Sequence, residues 1–150
     1  MPRGFTEVAP MTEQVKFHFD IDGDNFTSAG EASVRIKKLL REMGFSPEVI
    51  RRVSVAMYEG EINMVIHANG GSADVIVSAE AIEIILADNG PGIPDIDMAM
   101  TEGFSTAPDN IRSLGFGAGM GLPNMKRYTD DMRIESELGK GTTIYMTVKV

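Results

Sequence analysis

The segment Gly115-Phe-Gly-Ala-Gly-Met-Gly-Leu122 has a glycine at every second position over seven residues and leads directly into a helix-forming stretch. Alternating glycines remove side chains from a strip of backbone, so its amide N–H groups can face an anion, assisted by the N-terminus of the next helix. A flexible loop is the alternative interpretation, but a chance loop seldom combines such regular spacing with an abrupt helical end. The segment therefore predicts an anion-binding loop.

The two common nucleotide-binding signatures are absent from the sequence. A P-loop requires Gly-x4-Gly-Lys-Ser/Thr, and no such string occurs. A Rossmann fingerprint requires a buried strand before its glycines, whereas Ile111-Arg-Ser-Leu114 lies within a polar loop. Residues 89–119 as a whole are rich in Gly, Pro, Asp, Ser and Thr, with a short helix expected near Ile96–Met100. So long an irregular stretch is typical of a functional lid.

Bulk composition limits the class of protein. The chain has 150 residues, 43% of them hydrophobic, which suits one globular domain with a real core. Its net charge of -8 argues against a nucleic-acid partner, because phosphates require a basic surface. No cysteine is present, the N-terminus has no apolar run typical of a signal peptide, and no segment approaches the ~20 apolar residues of a membrane span. We therefore expect a soluble cytoplasmic protein.

Hydrophobic periodicity predicts the first half of the fold. Residues 1–14 lack periodicity and are expected to form a loose arm, followed by a half-buried strand from Val15 to Ile21. Ser28 and Glu31 form the pattern of a capping box at the start of the first helix, which Gly44 ends. Ser46 and Pro47 begin a second helix that is expected to run to His67 or Ala68.

The second half continues with a hairpin of strands near 73–78 and 82–87, the lid, and a helix after Gly121 that ends near Asp130. Two strands then close the chain around Gly139-Lys140-Gly141. The order β-α-α-β-β-lid-α-β-β predicts an α+β fold. We expect residues 15–150 to form one domain, a two-layer sandwich whose mixed, mostly antiparallel sheet is covered on one face by helices.

Glu59, Asn63 and His67 recur every four residues on the second helix and so form one polar stripe. A solvated helix face is the alternative, but the neighbouring side chains are mostly apolar. The stripe is therefore a candidate lining of a cleft. An Asn carbonyl oxygen suits Mg²⁺, and Glu can orient or deprotonate a nucleophile. His67 is next to the helix end and is better explained as a C-terminal cap.

Asp88-Asn-Gly-Pro-Gly-Ile93 directly follows an apolar strand. Such residues are expected in any strand-ending turn. The functional alternative is that Asp88 accepts a hydrogen bond from a base edge such as an adenine amino group. Gly90 and Gly92 would then let a flat ring approach the backbone. Gly139-Lys-Gly-Thr-Thr143 is by itself an ordinary hairpin turn.

Taken in order, four segments resemble the motif set of the GHKL (Bergerat-fold) ATPase superfamily: Glu59-x3-Asn63, Asp88-x-Gly90-x-Gly92, Gly117-x-Gly119-x-Gly121-Leu122 and Gly141-Thr142. Within it, the chain is similar to the bacterial protein-serine kinases of partner-switching systems, namely the anti-sigma factor kinases and the stressosome switch kinase. Glu59 and Ile66 stand where histidine kinases usually have Asn and Lys. The likeness covers nearly the whole chain except the first dozen residues.

The resemblance implies a role for each matching residue. Glu59 would be the catalytic base, Asn63 the Mg²⁺ ligand and Asp88 the adenine contact. Thr142 would support the adenine through water, and Arg112 in the lid would contact phosphate. The remaining expected ATP contacts shape the pocket and lid: Gly90, Gly92, Ile93, Gly117, Gly119, Gly121 and Leu122.

The activity implied is transfer of the ATP γ-phosphoryl group to a serine or threonine of a regulatory partner, either a STAS-type anti-anti-sigma protein or a sigma factor. ATP and Mg²⁺ are the cofactors, and a homodimer through the first helix or the sheet edge is a further expectation. The alternative is a non-catalytic, ATP-gated module that sequesters a sigma factor or other regulator. A self-contained small ATPase is a third interpretation, which the absence of a second domain to exclude water disfavours.

Overall fold

The architecture was obtained as a computed structural model that describes residues 13–23, 29–68, 70–100 and 121–150. Within these ranges the chain forms five strands and four helices. In chain order they are β1 (Val15–Asp22), α1 (Glu31–Glu42), α2 (Pro47–Ala68), β2 (Gly70–Val77), β3 (Ala81–Ala87), α3 (Ile96–Ala99), α4 (Gly121–Arg127), β4 (Asp131–Glu137) and β5 (Gly141–Lys149). The α+β class and the order of elements are confirmed.

The five strands form one sheet in the order β1-β2-β3-β5-β4. All four pairings between these strands are antiparallel, so the expectation of a mixed sheet is wrong for the described part of the chain. The reason lies in the last hairpin. Strands β3 and β4 run in the same direction, but β5 folds back between them and pairs with both. No parallel neighbours therefore arise among these five strands.

The core lies between one face of the sheet and the helices. Burial alternates along each strand, and the registers align the buried residues in rows that cross the sheet. One row contains Phe17, Val75, Ile84, Met146 and Met132. Helices α1, α2 and α4 contribute fully buried Ile36, Met57 and Met125 to the same core. Burying one such side chain contributes roughly 1.5–3 kcal/mol, so this layer holds the sheet and helices together.

The start of α1 differs from the predicted capping box. The helix begins at Glu31, and its N-cap residue is Gly30, which makes no side-chain cap hydrogen bond. The free N–H groups donate instead to the carboxylate of Glu61 on α2: Ser33 to Oε1 at 2.7 Å, and Gly30 and Ala32 to Oε2 at 3.1 and 3.2 Å. Ser28 lies outside the described residues. A side chain from the neighbouring helix therefore caps α1.

Glu61 is only 1% exposed, and this burial raises the pKa of its carboxyl, while the N–H groups of Ser33, Ala32 and Gly30 act in the opposite direction. A carboxyl group in such a place is satisfied only because it accepts three backbone hydrogen bonds. The contact fixes the start of α1 to the middle of α2.

The other helix ends follow local sequence more closely. Ser46 caps α2, since its Oγ accepts a 3.3 Å hydrogen bond from the Val49 N–H. Helix α4 ends at Arg127, three residues earlier than expected, because Thr129 Oγ1 donates to the Met125 carbonyl and Asp130 N–H donates to β5. None of the described helices is long and apolar enough to span a membrane.

Candidate functional site

Asp88 lies at the end of the buried row of β3. Ile82, Ile84 and Leu86 point into the core and are at most 2% exposed. The two-residue period of a strand puts Asp88 next in this series, on the face that the helices cover. Pairing continues one step beyond β3, because the Asp88 N–H donates to the Thr142 carbonyl at 2.9 Å. The apolar face of the sheet thus ends in a carboxylate.

The Asp88 carboxylate is held through one of its two oxygens. Oδ1 accepts hydrogen bonds from the N–H groups of Gly90 at 2.9 Å and Thr142 at 3.2 Å. Oδ2 accepts no hydrogen bond from the residues that the structure describes. The carboxylate is therefore fixed in orientation and keeps an acceptor for a donor outside the chain, such as the amino group of a base.

Two hydroxyl groups extend the polar end of the sheet beside Asp88. The buried Thr142 Oγ1 lies 2.8 Å from Ser136 Oγ, and Ser136 Oγ also accepts a 2.7 Å hydrogen bond from the N–H of Ile93. These two hydrogen bonds link β5, β4 and the loop after Asp88. Thr142 was among the predicted site residues, whereas Ser136 was not. The alternation of Met132, Ile134 and Ser136 could have identified it, since Ser136 continues the inward face of β4.

Gly92 allows the loop after Asp88 to lie against the β4–β5 hairpin. It has φ +83°, and a Cβ there would be 2.6 Å from the carbonyl oxygen of Glu137. Gly139 N–H donates to the Pro91 carbonyl at 2.9 Å, which joins the same two loops. Any other residue at position 92 would be strained and would separate them. The Gly-x-Gly pattern after Asp88 thus has a local structural reason in addition to its predicted role in nucleotide binding.

The predicted polar stripe of α2 borders the same end of the sheet. Gly90 packs against Ala68, since a Cβ at Gly90 would be 2.6 Å from that of Ala68. Asn63 lies five residues before Ala68, about 7.5 Å along the helix axis at 1.5 Å per residue. The loop after Asp88 therefore reaches the helix that carries Asn63 and Glu59. Of the stripe, His67 and Asn63 lie nearest this loop, and Glu59 is four residues further back, near the middle of α2.

Asn63 is half-buried, and its amide makes no hydrogen bond with any residue in the described ranges. Gly121, the first residue of α4, lies directly against it: a Cβ there would be 2.8 Å from Nδ2 and 3.0 Å from Oδ1. A half-buried amide that no described residue engages is open to a ligand or to water.

The donor set also limits the type of metal that can bind here. Among the described residues no group of three or more His, Cys, Asp or Glu side chains could hold a metal ion. No cage built from three such side chains is therefore present in the described part of the chain. Mg²⁺ keeps several waters and takes further ligands from phosphate oxygens, so a single amide oxygen beside a phosphate is enough to help hold it. The Asn63 oxygen therefore fits Mg²⁺ bound together with a polyphosphate.

Glu59 is half-buried one turn before Asn63, and it has a partner that sequence reasoning missed. The side chain of Asn124 on α4 donates from Nδ2 to Glu59 Oε2 at 2.6 Å. Asn124 follows Gly121 by three residues, so one short helix contacts two members of the stripe, Glu59 and Asn63. Its place next to the glycine run was the only signal in the sequence.

The remaining predicted residues divide into three groups. Ile93 is half-buried and packs against the core, and Leu122 lies within the core at 7% exposure, so their contacts with ATP stay predictions. Arg112, Gly117 and Gly119 lie outside the described residues. His67 is at the end of α2, where burial lowers the pKa of its imidazole. A neutral imidazole is therefore favoured close to Asn63.

Comparison with known proteins identifies the family of the chain. A family model described as "Histidine kinase-, DNA gyrase B-, and HSP90-like ATPase" matches residues 25–150. The chain is 34% identical over 112 residues to "Serine/threonine-protein kinase RsbT" of Bacillus subtilis (strain 168), which covers 72% of this chain and 78% of that protein. It is also 34% identical over 125 residues to "Anti-sigma F factor" of Clostridium novyi (strain NT). That match covers 79% of this chain and 84% of that protein.

A solved structure has the same fold. The crystal structure of the RsbU and RsbW domains of Rv1364c from Mycobacterium tuberculosis superposes with a TM-score of 0.62 at 16% identity. The match covers 89% of this chain but only 32% of that one, so the chain spans about a third of the larger protein. Because the family model covers most of its length, the chain belongs to the histidine kinase-, DNA gyrase B- and HSP90-like ATPase family.

Proposed function

We propose that the protein is an ATP-dependent protein serine/threonine kinase and regulator of a bacterial partner-switching system. The observation that carries the proposal is the pair Glu59 and Asn63, one helical turn apart on α2, in a chain that resembles proteins named serine/threonine-protein kinase and anti-sigma F factor. The first residue supplies a carboxylate, and the second supplies an amide that no described residue engages in a hydrogen bond. Phosphoryl transfer needs positioning and charge neutralisation. The carboxylate can orient the acceptor hydroxyl, and the amide can help to hold the Mg²⁺ that would neutralise charge.

In this proposal Asp88 recognises the adenine of ATP. Its Oδ2 accepts a hydrogen bond from the adenine amino group, while Gly90 and Thr142 hold Oδ1. The hydroxyls of Thr142 and Ser136 lie beside it and can bind a water against the ring. A fixed acceptor without a donor of its own favours adenine over guanine, which presents a carbonyl oxygen at the equivalent position.

Asn63 is proposed to hold Mg²⁺ together with the phosphates. When bound, the ion neutralises charge on the β- and γ-phosphoryl oxygens. Asn63 contributes its Oδ1, and Gly121 leaves space for the Asn63 amide because it has no side chain.

Glu59 is proposed to accept the proton of the attacking hydroxyl. As the serine or threonine oxygen bonds to the γ-phosphorus, its proton passes to Glu59 Oε1, and the bond to the ADP oxygen breaks. Oε2 is already engaged by Asn124. The partial burial of Glu59 limits the water that could compete with the partner hydroxyl.

The acceptor is proposed to be a regulatory protein, either a STAS-type anti-anti-sigma protein or a sigma factor, and the active form a homodimer. The names of several relatives, anti-sigma F factor, support a regulatory protein as the partner. The net charge of -8 favours a partner surface with basic groups.

The test is a transfer assay with γ-labelled ATP and a STAS-type anti-anti-sigma protein from the same organism as this chain. The proposal expects label on a serine or threonine of that protein, dependent on Mg²⁺. If partner binding depends on ATP but no phosphoprotein forms, the chain is an ATP-gated binding module and the kinase proposal is wrong.

A further inference from the structure

Asn124 connects the last helix to the carboxylate of the polar stripe. Its Nδ2 donates to Glu59 Oε2 at 2.6 Å across the contact between α4 and α2. Both side chains are half-buried, so water competes with this bond less than at an exposed position. A hydrogen bond to an ionised carboxylate is also stronger than one between neutral groups.

Arg127, one turn later on α4, determines which way the Asn124 amide faces. Its Nη1 donates to Asn124 Oδ1 at 2.9 Å. A guanidinium can only donate and an ionised carboxylate can only accept, so a single orientation of the amide satisfies both neighbours. Two hydrogen bonds thus connect Arg127 through Asn124 to Glu59.

A purely structural role for Asn124 in holding α4 against α2 is the simpler alternative. The packing argues against a purely structural role, because Leu122, Pro123 and Met125 on α4 are already buried and hold α4 against α2. Asn124 adds little apolar area. What it adds is a fixed rotamer for Glu59, whose side chain has three rotatable bonds.

We propose that Asn124 is a positioning residue that holds Glu59 with Oε2 engaged and Oε1 presented to the incoming hydroxyl, and that Arg127 fixes the Asn124 amide for this purpose. The inference rests on the proposed kinase function. Holding one carboxylate oxygen removes the rotamers in which Glu59 faces away from the acceptor, and this raises the fraction of complexes ready to react.

The closing experiment compares steady-state phosphoryl transfer in Asn124→Leu with the wild type. Leu has nearly the same size and keeps the apolar contact but cannot donate. We expect kcat to fall about 10-fold, while KM for ATP changes less than about twofold, since the interaction acts on the reacting geometry alone. Lys126→Gln, on the exposed side of the same helix, is the matched control and should retain wild-type values.

A double variant separates positioning from structure. In a Glu59→Gln background, Asn124→Leu should cause no further loss, because the group it positions has already been disabled. An equal fall in both backgrounds, or no fall in the single variant, would overturn the positioning role. Absence of transfer by the wild type would instead overturn the proposed function, and the positioning role with it.

Nuclear magnetic resonance gives a readout independent of turnover. The side-chain amide of Asn124 should shift markedly when Glu59 is replaced by Gln, since a charge-assisted hydrogen bond becomes a neutral one. A resonance that does not move would show that the bond is absent in solution and would contradict the proposal.

Discussion

Gly121 lies directly against Asn63: a Cβ on this glycine would be 2.8 Å from Nδ2 of the amide. The first residue of α4 thus sits where any side chain would displace the proposed Mg²⁺ ligand. This contact joins the end of the glycine run to the polar stripe of α2, two motifs separated by 58 positions between Asn63 and Gly121. The contact explains why position 121 is a glycine without any appeal to loop flexibility.

We expect Gly121→Ala to weaken binding of Mg-ATP about 10-fold, because the new methyl group pushes the Asn63 amide aside. Stability should change by less than about 1 kcal/mol, since the end of a side chain can move and Ala favours a helix. Isothermal titration calorimetry and urea denaturation measure the two effects. Gly44→Ala is the control: it is strained at φ +87°, has nothing within 4 Å, and should lower stability without changing affinity. Unchanged affinity in Gly121→Ala would contradict the account.

Asp88→Asn should weaken ATP binding about 100-fold and reduce the preference for ATP over GTP. The amide oxygen can still accept from Gly90 and Thr142, so the fold is kept, but a donor now faces the base. Competition between the two nucleotides for a fluorescent analogue measures both quantities. If Asp88→Asn kept its full preference for ATP, Asp88 would not be the adenine contact.

Glu61→Ala should lower the free energy of unfolding by about 3 kcal/mol, because the buried N–H groups of Gly30, Ala32 and Ser33 lose their acceptor. Glu31→Ala, at the position of the predicted capping box, is the matched control. Glu31 is exposed, and its replacement should cost no more than about 0.5 kcal/mol. Urea denaturation of the two variants decides between the caps, and a larger loss for Glu31→Ala would favour the sequence-based prediction.

The two histidines should titrate on opposite sides of the ordinary pKa of 6.5. Hydrogen bonds to Asp74 and Asp20 raise the pKa of His18, whereas burial lowers the pKa of His67. The pairing of His18 therefore stabilises the fold below pH 6.5 and is lost as pH rises through its raised pKa. For His67 the neutral form is favoured, so protonation destabilises the fold as pH falls. An imidazole NMR titration, assigned with His18→Gln, checks which histidine has the higher pKa. A higher pKa for His67 would contradict both the His18 hydrogen bonds and the burial of His67.

Much of the fold could be predicted because it depends on local patterns. The alternation of β1 and β5, the Ser46 cap of α2 and the left-handed Gly44 after α1 all follow from residues close together in sequence. The wholly antiparallel sheet could not be predicted in this way. It depends on β5 lying between β3 and β4, and that is a choice of pairing between distant strands.

In the site, too, local features could be predicted and contacts between distant residues could not. Glu59, Asn63 and Asp88 could be identified from spacing and from resemblance, but their partners could not. Glu61 caps a helix about 30 positions earlier in the chain, and Asn124 contacts Glu59 across 65 positions. Both contacts arise only when α2 packs between α1 and α4. In sequence, Glu61 and Asn124 are simply polar residues of amphipathic helices.

The most direct test of the central claim is a single-turnover assay of Glu59→Gln with ATP and a STAS-type protein that the wild type phosphorylates, alongside calorimetry of ATP binding. Gln keeps the size of Glu and can still accept from Asn124, but it cannot take a proton. The account predicts that transfer falls about 10²–10⁴-fold while ATP affinity changes less than about threefold. Transfer that survives the substitution at the wild-type rate would remove Glu59 from the proposed role.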